Sequence, residues 1–277
     1  MENRSYKPIH NSLNEVFESL SPQTEFGDNR FEFLMDVFLF SAKDTYEAVK
    51  HLLSQGSKYV LQASVLSRLM IEILFNLIFI AQDVESRSRW FLKVRYKKIA
   101  KELERIETHW GNDLERIQEY LRYCRQLRAL LIRNCNISQL EISDPNRILN
   151  WPIPSRMLKT EKHWEGKSKD DRNYLQHILN SYYGGASELA HVEFRSLVFG
   201  FATQISGWTL QQEASAITEP FINTATFFLS IMSEVARIKK LNLNHLLKKA
   251  WRTLYKKFDY YIDELIELRY SQFIDKR

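Results

Sequence analysis

The sequence predicts an all-α protein, a single helical bundle, and three observations predict it. Apolar residues recur with a period near 3.6 through most of the 277 positions. Only 8 Gly and 6 Pro occur, too few for a turn-rich β-sandwich or a low-complexity chain. One helix, ending near Ala81, is apolar on nearly all sides, as only a surrounded helix tolerates.

The elements follow in order. Leu13, Val16, Phe17 and Leu20 mark a short entry helix, ended by the turn-rich SPQTEFGDNR. A second helix is expected over 31–53, stopping near Gly56, and a third, central one over 57–81. Basic amphipathic helices follow at about 86–108 and 112–134, separated by Gly111 and Asn112. Residues 138–168 read as a long loop. Pro145, Pro152 and Pro154 fall there, and the residue before a proline avoids the α region. Helix resumes at SKDD, with acids in its first turn, and runs either to Gly184–Gly185 or on through ASELAHVEF, in which case Ser187 and His191 share a face. Phe199, Phe201 and Trp208 leave 194–210 open between a short strand and an irregular loop. Helices at about 214–240 and 244–273 close the chain. The organisation expected is an entry segment (1–30), a helical core (31–240) and a basic C-terminal amphipathic helix (241–277) packed on the same domain.

Composition narrows the function classes. There are 39 Lys and Arg against 34 Asp and Glu, a net charge of +5. This mild excess permits a nucleic-acid partner without demanding one. Cys124 and Cys135 are not at metal-ligand spacing, which argues against a zinc site and a disulfide framework and fits a reducing cytoplasm. The N-terminal MENRSYKPIH lacks the apolar core of a secretory signal. The stretch 69–81 is too short to span a bilayer and is interrupted by Glu72 and Asn76, so a cytoplasmic protein with no membrane partner is expected. No P-loop, Rossmann glycine fingerprint or HExxH motif occurs, and neither a cofactor nor a metal is expected.

Four constellations bear chemistry. Arg68, Glu72 and Asn76 share one face of the apolar third helix. Buried there, an Arg–Glu pair is commonly architectural. Breaking it by Glu72→Ala would then cost about 3–5 kcal/mol, while the functional reading has the polar face line a cleft. Tyr183, Ser187 and His191 have the same i, i+4, i+8 spacing. His191 can act as a general acid or base, or serve as a satisfied core histidine. The two polar faces are expected to meet, because a buried Arg68–Glu72 pair needs partners.

Arg172-Asn173-x-x-x-His177 has the arginine-to-histidine spacing of helical ribonucleases. Histidine would handle the 2′-hydroxyl proton and arginine the transition-state charge. Chance also produces such spacings. Last, Lys239-Lys240, Lys248, Lys249, Arg252, Lys256 and Lys257 are interleaved with Trp251, Tyr255 and Tyr260. That combination suits a surface tracking RNA phosphates, although a solvated face of a long helix reads alike.

Together, the R-x3-E-x3-N helix in SRLMIEILFNLIFIAQD, the basic helix after Asp-Val-Glu-Ser, and the Y-x3-S-x3-H of YYGGASELAHVEF resemble a bacterial all-helical family of unknown function. The resemblance covers residues 30–235 and extends distantly to the HEPN fold (higher eukaryotes and prokaryotes nucleotide-binding). It implies a metal-independent endoribonuclease or toxin effector of an anti-phage or toxin–antitoxin system. It also implies a homodimer in which two Arg–His motifs face each other, with RNA as substrate and a partner protein of the same system. Two alignments stay open. Either Arg172, Asn173 and His177 are the motif, or His191 is its histidine. In the second case Ala186 stands at the arginine position, and Arg68 supplies the charge. The other function class is a non-catalytic sensor or scaffold that binds a partner protein or nucleotide.

Overall fold

The computed structural model describes residues 6–20, 30–110, 117–154, 169–183 and 209–274. The described residues form ten helices and no strand. They are α1 (Lys7–Ser19), α2 (Arg30–Ser54), α3 (Val60–Ala81), α4 (Val84–Trp110), α5 (Gln118–Asn134), α6 (Gln139–Ser143), α7 (Lys169–Ile178), α8 (Leu210–Ile238), α9 (Asn244–Phe258) and α10 (Glu264–Arg269). The chain divides into two compact units: Met1–Glu25, Met35–Ala81 and Pro154–Arg277 form the larger, Phe26–Leu34 and Gln82–Ile153 the smaller.

In the core of the larger unit α3 packs extensively on α8. From Pro220 to Ala236 every residue of α8 is buried except the half-buried Asn223. α3 keeps an exposed edge at Gln62 and Leu69. The most enclosed helix is therefore α8, although α3 has the more continuous apolar run. Ser67 and Thr224 join the two by a 2.7 Å hydroxyl hydrogen bond inside the contact. With its 3-10 lead-in, α3 spans 57–81, longer than the 69–81 stretch read from hydropathy. By length and composition it could cross a membrane, but 61% of its most apolar window is buried inside the protein. Gly56 makes the turn from α2 at φ +108°, where a side chain would be strained.

α1 buries Ile9, Leu13, Val16 and Phe17 and packs on α2, where Phe17 meets Phe40 edge-on, and on α9, which presents Leu247, Ala250, Trp251, Leu254 and Phe258 to the core. Past α8, the buried Asp36 of α2 binds Lys239 Nζ at 2.8 Å. α8 then closes with a Schellman cap. Leu241 N–H donates to Ala236 O at 2.9 Å, Lys240 N–H donates to Arg237 O at 3.2 Å, and Lys240 sits at φ +54°. A lysine there carries left-handed strain of roughly 1–2 kcal/mol, whereas glycine costs roughly 0.5–1 kcal/mol in unfolded-chain entropy. Lys240→Gly is expected to stabilise the protein by about 0.5 kcal/mol, measured as a higher urea midpoint at unchanged m-value.

The expected 244–273 helix is broken. After α9 comes a 3-10 turn (Asp259–Tyr261), and α10 restarts where the Asp263 side chain accepts the Leu265 N–H at 2.9 Å. An N-capping aspartate offers the backbone a non-helical alternative, and this one ends the long amphipathic run.

In the smaller unit α4 and α5 pair around Leu103, Ile106, Leu121 and Cys124. The segment read as a loop begins with order of its own. Ser138 and Glu141 form a capping box that starts α6, and Lys93 binds both Glu141 oxygens at 2.8 Å. Trp151 lies against Trp90 and Phe91, with ring centroids 4.9 and 5.1 Å apart, and Trp90 Nε1 donates to Leu149 O. That segment is held along α4. Residues 155–168 lie outside those described.

Candidate functional site

α7 turns into a single π turn, Leu179–Tyr183, that sorts two tyrosines between two polar groups. π turns inside α-helices are frequent at functional sites, because the extra residue redirects side chains. Here α7 and its π turn both pack against α3, within the larger unit.

Tyr183 meets the polar face of α3. Arg68 Nη2 donates to Tyr183 Oη at 2.8 Å, and that hydroxyl donates to Glu72 Oε1 at 3.2 Å. The Arg68 guanidinium also lies over the Tyr183 ring, 4.9 Å from its centroid, and its Nε is 3.1 Å from Glu72 Oε1. Burial pushes the Tyr183 phenol above its ordinary pKa, the Arg68 bond opposes this, and the Glu72 charge reinforces it. A neutral phenol is what the chain arginine to tyrosine to carboxylate requires. The first residue of Tyr183-x3-Ser187-x3-His191 thus meets α3, as spacing led one to expect. Ser187 and His191 lie outside the described residues.

The pair is less buried than its apolar helix suggested. The Arg68 and Glu72 side chains retain 21% and 35% of their exposure. Water screens a pair that accessible, so the cost of breaking a buried ion pair does not apply. Glu72→Ala is expected to destabilise by about 1 kcal/mol, not 3–5, in urea unfolding.

His177 stands just before the same π turn. Its Nε2 is 2.8 Å from Asp263 Oδ1, and its Nδ1 is 3.4 Å from the hydroxyl of the exposed Ser181. Tyr182 packs edge-on to His177 and to Phe227. Its phenol is pushed up to about 12, first by burial and then by Asp263 and Glu219. The site is thus an imidazole with a carboxylate behind one nitrogen and a solvent-facing hydroxyl at the other. That arrangement suits proton transfer at Nδ1. Arg172 lies on α7 five residues earlier, where a straight helix turns it about 140° away, so one face does not carry both residues.

Spacing alone did not reveal two groups. Asp263 carried only a capping signal, and nothing local linked it to His177. The second is Glu234, 1% exposed, the lone acid in the apolar run of α8. Its Oε1 accepts from Arg269 Nε and Nη2 at 3.0 and 2.9 Å and from the Tyr270 hydroxyl at 3.2 Å. Its Oε2 accepts from Arg237 at 2.6 and 2.9 Å. Tyr270 stacks on Trp251, whose Nε1 donates to Ser233 Oγ. Burial pushes the Tyr174 and Tyr270 phenols well up. A single carboxylate in an apolar helix was the available signal, the one that marked Glu72.

On α9 the aromatic interleaving resolves differently from the expectation. Trp251 is fully buried, while Tyr260 is 91% exposed beyond the helix end. His245, Lys248, Lys249, Arg252, Thr253 and Lys256 line one surface depression, with Lys249 Nζ 2.6 Å from Glu15 Oε2. Lys257, also exposed, lies beside that row with its Nζ 6.0 Å from the Phe258 ring centroid.

Residues 38–203 match a family described as a family of unknown function, DUF5677. The matched span includes Arg68, Glu72, Arg172, His177, Tyr183, Ser187 and His191, and excludes Asp263, Glu234 and α9. No curated protein and no solved structure matches the chain.

Proposed function

Since the chain belongs to that family, whose chemistry is unassigned, its function has to come from its own residues; we propose that it is a HEPN-like, metal-independent endoribonuclease, acting as a cytoplasmic homodimer in a bacterial defence or toxin–antitoxin system. The observation that carries this reading is the His177–Asp263 pair at 2.8 Å, set in an Arg-Asn-x3-His sequence beside a π turn. The neutral imidazole takes the RNA 2′-hydroxyl proton at Nδ1 as that oxygen attacks the adjacent phosphorus. The P–O5′ bond breaks, the 5′-oxygen takes a proton from water to leave as a hydroxyl, and a 2′,3′-cyclic phosphate remains. Asp263 orients the ring and stabilises the imidazolium. Arg172, or Arg68 from α3, neutralises the phosphorane oxygens. DNA, lacking the 2′-hydroxyl, resists cleavage.

The test is purified protein on single-stranded RNA in EDTA, with His177→Ala and His191→Ala alongside. Cyclic phosphate ends and loss of cleavage in His177→Ala support the reading, and loss in His191→Ala alone overturns the role of His177. Cleavage that needs added metal, or survives both substitutions, overturns the reading.

A second reading is favoured by one observation: Arg68 is already engaged, by an ion pair to Glu72 and a hydrogen bond to Tyr183. In it, the α3–π-turn junction is architecture for a non-catalytic module that binds a partner protein or nucleotide. Full-length RNA after incubation, with a wild-type melting temperature in His177→Ala, supports that alternative.

A further inference from the structure

Hydroxyls inside the helices of this chain commonly turn back on the backbone. Ser12, Ser64, Ser230 and Ser233 each donate to the carbonyl four residues earlier. Ser181 is placed differently. It lies in the π turn, where backbone hydrogen bonds reach one residue further, and its hydroxyl meets the His177 ring, with Oγ 3.4 Å from Nδ1. That contact joins two residues of one helical run, so it links no separate elements, and Ser181 is exposed. Packing does not account for it. The imidazole, by contrast, is fixed on two sides. Tyr182 lies edge-on to the ring, and Asp263 places Oδ1 2.8 Å from Nε2. That same oxygen accepts the Leu265 N–H at 2.9 Å, which holds the carboxylate at the start of α10.

An open hydroxyl, an imidazole within hydrogen-bond reach and a carboxylate behind the imidazole fill three roles. They are a nucleophile, its base, and the group that stabilises the base once charged. Nucleophile–base separations are often long before substrate binds, and 3.4 Å falls in that range. We propose that Ser181 is a nucleophile, activated by His177 and Asp263, that takes acyl groups from carboxylic esters. Its oxygen attacks the ester carbonyl carbon while its proton passes to Nδ1 of the neutral imidazole. The imidazolium, beside the Asp263 carboxylate, gives that proton to the ester's alkoxy oxygen. The carbon–oxygen bond breaks, the alcohol leaves, and the acyl group stays on Ser181. Water then attacks the acyl carbon by the same proton path, which releases the acid and restores the hydroxyl. Esters are the fitting class because an alkoxy oxygen leaves more readily than an amide nitrogen. This activity goes beyond RNA cleavage, in which His177 takes its proton from the substrate and not from the protein's own hydroxyl.

The probe is a fluorescent fluorophosphonate, which forms a phosphonyl–serine bond with loss of fluoride, applied to the full chain without RNA. Peptide mass spectrometry should map the adduct to Ser181, and Ser181→Ala should carry none while keeping the wild-type melting temperature. His177→Ala should slow labelling at least about 10²-fold, and Asp263→Asn at least about tenfold. Hydrolysis of p-nitrophenyl acetate should follow the same order of variants. No adduct, an adduct on another residue, or equal labelling of heat-unfolded protein overturns the proposal. So does labelling of His177→Ala at the wild-type rate. Labelling and RNA cleavage are read separately. A protein that cuts RNA without labelling loses this proposal alone, and one that labels without cutting loses the endoribonuclease alone.

Discussion

His177→Ala is expected to lower RNA cleavage at least about 10²-fold, the lower range for loss of a general acid–base group, with unfolding free energy within about 1 kcal/mol of wild type. The imidazole is half-buried at the edge of the larger unit and fills no deep core position, so its removal leaves no large cavity. Asp263→Asn gives the sharper result. Asparagine caps a helix as well as aspartate, so α10 should still start at Glu264 and the melting temperature should hold. Without the carboxylate the ring loses the charge 2.8 Å from Nε2 that stabilises the imidazolium, and cleavage should fall at least about tenfold. A merely structural Asp263 predicts an unchanged rate per folded molecule in Asp263→Asn. Measuring both quantities on both variants separates the two roles.

Glu234→Ala is expected to destabilise the protein by about 3–5 kcal/mol. The carboxylate is 1% exposed and accepts from Arg237, Arg269 and Tyr270. Without it, Arg269, whose side chain is 19% exposed and whose guanidinium lies 5.4 Å from the Tyr174 ring, loses both hydrogen bonds to Glu234 and that ion pair. Glu234→Gln keeps one acceptor oxygen and loses the charge, so its cost should be smaller, about 1.5–3 kcal/mol. Urea unfolding of both variants, at unchanged m-value, checks the order. The loss should also reach the candidate site. Arg269 ends α10, Asp263 begins it, and a loosened α10 carries the carboxylate away from His177. Among molecules still folded, Glu234→Ala should therefore cleave RNA more slowly than Glu72→Ala.

The sequence by itself determined the helical class, the locations of most helices and the residues that face inward. These follow from local periodicity: Leu13, Val16 and Phe17 recur on one side of α1, and Leu247, Trp251 and Leu254 on one side of α9, whatever surrounds them. The meeting of α3 with Tyr183 was legible for a related reason. A charged pair inside an apolar helix requires a polar partner, and few patterned helices offered one. Asp263 behind His177 was not legible, nor were the arginines that converge on Glu234. Both arrangements join residues far apart in the chain, and spacing carries no information about which distant helix end will arrive. Tertiary packing also decided the degree of burial. α8 is enclosed through its middle, with α3 packed along it, whereas α3 leaves Leu69 exposed and its polar pair partly open to solvent. Apolarity along a helix states what burial would stabilise. Only the neighbours that arrive decide how much of it is achieved, and so whether Arg68 and Glu72 sit in a core or at the edge of a site.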